Sequence, residues 1–195
     1  MTYYIFDFDG VIGNTLDPWS KFLAASLHIR PEFAKAQLIS NGFKSSNDNF
    51  IKRIVKNYFF NRLREDYSKR KDLIFEERLK EIVKMDGQKA ILTRNDSRIC
   101  IDLLGEYASH FKYILGRNEA STKVKGFAQL FGDLDFKSDE TLFFTDTVGD
   151  IKEAQKALPE KQIIAVSWGY HTREILNKHL PEDQIIDDFK KFIHS

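Results

Sequence analysis

Phe6-Asp7-Phe8-Asp9-Gly10-Val11-Ile12-Gly13-Asn14-Thr15 sets two carboxylates two residues apart, where the short apolar run Tyr3–Phe6 gives way to a glycine-bearing turn. An apolar run without polar alternation reads as a strand buried on both faces, and open α/β sheets bind ligands beyond the carboxyl ends of such strands. Spacing of two puts the Asp7 and Asp9 side chains on one side of an extended backbone, facing away from Phe6 and Phe8. Acids this close resist joint ionisation unless a cation lies between them or one keeps its proton. Either condition suits one carboxylate as nucleophile and the other as general acid and base, with magnesium neutralising phosphate charge. Asp-x-Asp also occurs in metal-dependent glycosyltransferases and in calcium loops. A calcium loop wants Asp or Asn fifth and Gly sixth, and Val11 and Ile12 stand there.

Outward from this stretch, further strands are expected at 89–93, 113–115, 141–145 and 162–167, with helices at 97–107, 124–131, 151–158 and 172–178. Strands alternating with helices predict a doubly wound α/β fold with a parallel sheet, a Rossmann-like core. Between the first strand and Gly87 the pattern is helical. Asp17-Pro18 reads as an N-cap and first helical position, followed at helical spacing by Trp19, Phe22, Leu23 and Leu27. Further helices are expected at 32–39, 49–67 and 72–83. The chain therefore divides into a core of residues 1–14 and 85–195 and an inserted helical cap of residues 15–84.

With 195 residues, 42% of them hydrophobic, the chain can bury a sizeable core. A net charge of +1 gives no support to a nucleic-acid binder. It is distributed unevenly: residues 15–84 carry 15 Lys/Arg against 9 Asp/Glu, and the remainder is acidic. A basic lid over an acidic, metal-binding core suits an anionic substrate, though mixed-sign runs such as Arg62-Leu63-Arg64-Glu65-Asp66 equally mark solvated helix faces. A lone cysteine, Cys100, no signal-like stretch and no membrane span lead to an expected cytoplasmic location.

Three more segments carry polar groups to strand ends. In Phe143-Phe144-Thr145-Asp146-Thr147-Val148-Gly149-Asp150, Asp146 matches Asp7 on another strand and suits a hard cation, while Asp150 opens a helix as a cap or first-turn acid. In Ala90-Ile91-Leu92-Thr93-Arg94-Asn95, Thr93 alone reads as a strand residue or cap; beside the two acid motifs it reads as phosphate-binding. Lys123 and Lys125 compete as a phosphate-balancing cation. Phe127, Leu130 and Phe131 fall at +4, +7 and +8 from Lys123 and leave it at the helix mouth, so Lys123 is chosen. His171 reads as an exposed loop residue, Cys100 as a small buried hydrophobe, and Tyr58-Phe59-Phe60 as packing.

These four segments, in this order, resemble the motifs of the haloacid dehalogenase superfamily. The run Ile164-Ala165-Val166-Ser167-Trp168-Gly169-Tyr170-His171 and the helical insertion look like its phosphoglycolate-phosphatase-like branch. The resemblance implies that Asp7 attacks phosphorus to give an aspartyl-phosphate and that Asp9 protonates the leaving group and then activates water. It implies Thr93 and Lys123 on the phosphoryl oxygens, and Mg2+ held by Asp7, the Asp9 backbone carbonyl and Asp146, with Asp150 supporting. True dehalogenases generally lack an acid at the Asp9 place, so phosphoryl chemistry is expected, on a small phosphorylated metabolite.

The chain departs from the pattern at three places: Thr145 stands where Gly is common, Arg94 separates Thr93 from Asn95 and adds a cation near the phosphate, and Val124 replaces a Pro. Arg94, Lys44 and Lys52 are candidate substrate contacts. A phosphotransferase or phosphosugar mutase, and a non-catalytic phospho-ligand-binding protein, are the alternatives.

Overall fold

The computed structural model of the protein describes residues 1–42 and 71–193; the expected helix at 49–67, Lys44, Lys52 and Tyr58-Phe59-Phe60 lie outside them. Six strands, β1 (Tyr3–Phe6), β2 (Gln88–Leu92), β3 (Tyr113–Leu115), β4 (Thr141–Thr145), β5 (Ile163–Val166) and β6 (Ile185–Ile186), form one sheet in the order β3-β2-β1-β4-β5-β6. Every pairing is parallel. The last strand was not expected: two residues are too short for a periodicity to register.

Alternation across each strand splits the core. Tyr3 and Ile5 join Phe127, Phe143 and Leu130 on one face, while Tyr4 and Phe6 join Phe144, Ile91 and Phe189 on the other. Phe6 stacks on Phe144 at 4.9 Å, and Phe189 meets both edge-on at 5.8 and 5.3 Å. Such ring pairs are each worth about 0.5–1.5 kcal/mol beyond burial, and they stiffen the two strands that end in Asp7 and Asp146.

The helices of the core are α3 (Glu76–Lys84), α4 (Ser97–Leu104), α5 (Lys123–Gly132), α6 (Val148–Ala154) and α7 (Arg173–Leu176). Three of their starts or ends correct the expected ones. Helix α4 stops at Leu104 because Gly105 takes φ +56°, and a 3₁₀ segment carries on to His110. Helix α6 begins at Val148, since the Thr147 hydroxyl caps it, so Asp150 lies inside the first turn. The expected helix at 72–83 is broken: Ile74 forms an antiparallel bridge to Gly13, and α3 starts two residues later.

The insertion leaves and re-enters through that bridge. The Asn14 N–H donates to the Leu73 carbonyl at 2.7 Å and the Phe75 N–H to the Ile12 carbonyl at 2.8 Å. Helices α1 (Leu16–Leu27) and α2 (Pro31–Asn41) follow the exit. Helix α1 starts before Asp17, because the Thr15 carbonyl already accepts the Trp19 N–H at 2.9 Å, so Asp17 is a first-turn acid, not the cap. Trp19 and Phe22 lie against the core, and Leu79 and Ile82 of α3 are buried within it. Among the described residues no helix is long and apolar enough to cross a membrane.

Candidate active site

The strand order reverses direction between β1 and β4, and that switch point is where an α/β sheet opens a crevice. The register Phe6↔Phe144 brings the ends of these two strands together, with the Asp7 N–H donating to the Phe144 carbonyl at 2.8 Å. Asp7, Asp146, Asp150, Lys123 and Thr93 are all buried there. The Lys123 ammonium sits 2.7 Å from Asp7 Oδ1 and 3.4 Å from Asp150 Oδ2, and also donates to the Leu92 carbonyl. Lys125, one half-turn on, points to the surface and donates to Ser121. Thr93 directly follows β2, its hydroxyl accepting the Asn95 N–H at 3.1 Å.

Burial drives the Asp7 carboxyl well above the ordinary range; Lys123 opposes that, and Asp150 and Asp146 add to it. Burial also raises Asp9, against hydrogen bonds from Thr15, Asn95 and Trp19. The Asn95 amide donates to Asp9 Oδ1 at 3.2 Å. Burial would raise Asp150 too, but Arg94 and Lys123 hold it far below the usual carboxylate range. For Lys123, burial works against the charge and Asp150 and Asp7 more than restore it.

Asp146 is enclosed by the turn after β5. The Tyr170 N–H donates to Asp146 Oδ2 at 2.7 Å, the His171 N–H to its carbonyl at 3.3 Å, and the Trp168 indole to the Val11 carbonyl at 3.2 Å. Gly10, at φ +81°, and Gly169 face it closely: a Cβ on either would come within 1.8 and 2.2 Å of the Asp146 side chain. Its Oδ1 is buried and has no hydrogen-bond partner among the described residues. Burial pushes the carboxyl up to about 8, with Asp150 and Asp9 adding.

An orphaned carboxylate oxygen in an acid-rich crevice fits a hard cation. Among the described residues no three His, Cys, Asp or Glu side chains gather as a metal-holding set. A cation here would therefore rest on Asp7, Asp146 and backbone or water oxygens, which is how magnesium is commonly held.

Arg94, expected at the phosphate, lies 2.6 Å from Asp150 Oδ1 and 3.1 Å from Glu153 Oε1. Thr145, at the place where Gly is common, turns its hydroxyl to Asp150 Oδ2 at 3.5 Å. Glu153 was missed by sequence reasoning. It is buried and accepts the Lys123 N–H at 2.9 Å, and the one available signal was its place three residues after Asp150, on the same helix face. Asn95 was seen as a motif residue but not as the group that holds Asp9.

The expectation of an exposed His171 is corrected. It is 1% exposed, because its Nδ1 accepts the Val148 N–H at 3.1 Å while Nε2 meets the Ile39 carbonyl of α2 at 3.0 Å. The Gly149 N–H donates to the Gly42 carbonyl at 2.6 Å alongside. Cys100 is buried and its thiol is pushed up by burial, so it is a packing residue. A cavity of about 150 Å³ opens beside the turn, lined by Gly10, Asn14, Thr15, Lys35, Trp168 and Tyr170.

The profile of the haloacid dehalogenase-like hydrolases matches residues 4–166. No curated protein matches the chain in sequence. A predicted phosphatase from Clostridium acetobutylicum superposes with a TM-score of 0.72 at 17% identity, covering 99% of this chain and 96% of its own. CbbY from Rhodobacter sphaeroides, solved with xylulose-1,5-bisphosphate, gives 0.70 at 13% identity, with 98% and 96% covered. The L-2-haloacid dehalogenase of Xanthobacter autotrophicus gives 0.65 at 12%, with 100% and 98% covered. At these identities the likeness is one of fold.

Proposed function

Because the chain belongs to the haloacid dehalogenase-like hydrolase family, we propose that it is a magnesium-dependent phosphatase acting on a small phosphorylated metabolite through an aspartyl-phosphate on Asp7. The observation that carries this reading is Asp9: a carboxyl raised by burial and held by Asn95, beside the nucleophile. Halide leaves as a stable anion and needs no such acid, whereas an alkoxide does.

Asp7, steadied by Lys123, directs a carboxylate oxygen at phosphorus, and the bond from phosphorus to the ester oxygen breaks. The Asp9 carboxyl gives its proton to the departing alkoxide. As a carboxylate, Asp9 then takes a proton from water, whose oxygen attacks the phosphorus and frees both phosphate and Asp7. Lys123 and Thr93 bind phosphoryl oxygens. Asp7, the Asp9 carbonyl and Asp146 would hold Mg2+, with Asp150 supporting, and the ion supplies neutralisation of phosphate charge.

The proposed cap, expected at residues 15–84, would end at the return through Leu73 to Phe75, where Ile74 bridges Gly13, since Leu79 and Ile82 of α3 pack in the core. The sugar bisphosphate seen on CbbY favours a sugar or similarly small metabolite phosphate here. The test is phosphate release from a panel of phosphometabolites by wild type and Asp7→Asn, each with magnesium or a chelator. Release that needs both Asp7 and magnesium supports the reading. An isomerised sugar phosphate in place of free phosphate assigns a mutase, and no turnover of any compound rejects the enzyme.

A further inference from the structure

We propose that Arg94 and Glu153 are a positioning pair that reserves Lys123 for the nucleophile by giving Asp150 a cation of its own. This rests on the phosphoryl-transfer reading of the site.

One ammonium faces two acids. Lys123 Nζ lies 2.7 Å from Asp7 and 3.4 Å from Asp150, and an ammonium is a point charge on a flexible stem, free to settle on whichever acid attracts it more. Asp150 is fixed in the first turn of α6 with Oδ2 facing the ammonium, so without a second cation it would draw Lys123 across. Arg94 supplies that cation on the far oxygen, Oδ1, at 2.6 Å, leaving Oδ2 as the weaker claim on Lys123.

Glu153 completes a ring. Its Oε1 meets the Arg94 guanidinium at 3.1 Å, and its Oε2 accepts the backbone N–H of Lys123 at 2.9 Å. A carboxylate at the start of α5 is also favoured by the helix dipole. The links run from the Lys123 backbone through Glu153, Arg94 and Asp150 to the Lys123 ammonium, so both ends of one residue are tied to the same network. Arg94 makes both contacts through one nitrogen, Nη2, which stands one bond further from the backbone than the ammonium of a lysine at position 94 would. The pair adds no net charge to the crevice; what it changes is where the positive charge of Lys123 rests.

The experiment is steady-state phosphate release by the full chain with magnesium, for wild type, Arg94→Met, Arg94→Lys, Glu153→Gln and Arg94→Met/Glu153→Gln, with melting temperatures alongside. The expected result is kcat lower by roughly ten- to hundredfold in each single variant. KM should stay within about threefold, and the double variant should be no worse than the poorer single. A phosphate-binding Arg94 would instead raise KM and leave Glu153→Gln indifferent, which overturns the proposal. So does a loss of rate that tracks only the fraction unfolded.

A crystal structure of Arg94→Met reads the same inference without turnover, and so separates it from the phosphatase reading should wild type release no phosphate. Lys123 Nζ moved onto Asp150 upholds the pairing, and Nζ kept on Asp7 overturns it.

Discussion

His171→Ala removes a side chain that joins α2 of the insertion to the helix carrying Asp150. Nδ1 accepts the Val148 N–H, so the ring proton sits on Nε2 and is donated to the Ile39 carbonyl. Val148 is fully buried, and its N–H, once orphaned, costs about 1–3 kcal/mol. Ile39 is only half-buried, and water can replace its lost bond at a cost of about 1 kcal/mol or less. The sum is roughly 1–4 kcal/mol, or a melting point lowered by roughly 2–16 °C in a chain of this size.

Thermal unfolding measures the first figure, and amide exchange at residues 39–42 and 148–149 measures the second effect, faster opening where the two helix ends meet. His171→Gln, which keeps a donor, should fall between wild type and Ala. Burial also lowers the folded pKa of His171 below 6.5. Its contribution to stability is therefore present above pH 6.5 and lost as the pH falls through the folded value. An unchanged melting point together with unchanged exchange at both helix ends would refute the reasoning.

Three other outcomes follow from the site. Gly10→Ala puts a Cβ 1.8 Å from Asp146 Oδ2 at a backbone φ of +81°, so phosphate release should drop at least tenfold with the far-UV spectrum retained. Magnesium should raise the melting point of wild type by mass action and leave that of Asp146→Asn unmoved, which a thermal shift titration reads directly. Arg98, by hydrogen bonds, and Arg117 hold the Asp96 carboxyl down to about 2. Its stabilisation is then complete above pH 3.8 and lost as the pH falls towards 2, and Asp96→Asn should flatten acid unfolding across that window.

Sequence by itself determined the parallel α/β core, because strands buried on both faces show as apolar runs and each acid sits where such a run stops. Helical spacing also set Lys123 at the mouth of its helix, and there the ammonium lies 2.7 Å from Asp7 while Lys125 faces the surface. Tertiary structure alone decided the rest. Arg94 turns to Asp150 and Glu153 because two acids, 56 and 59 positions away in the chain, outcompete open solvent for its charge. His171 is buried because α2 and α6 bring a carbonyl and an N–H to its two nitrogens, and Asn95 reaches Asp9 across 86 positions. Local pattern records which face of an element is apolar; which charges meet across strands and helices is fixed only when the sheet closes on its switch point.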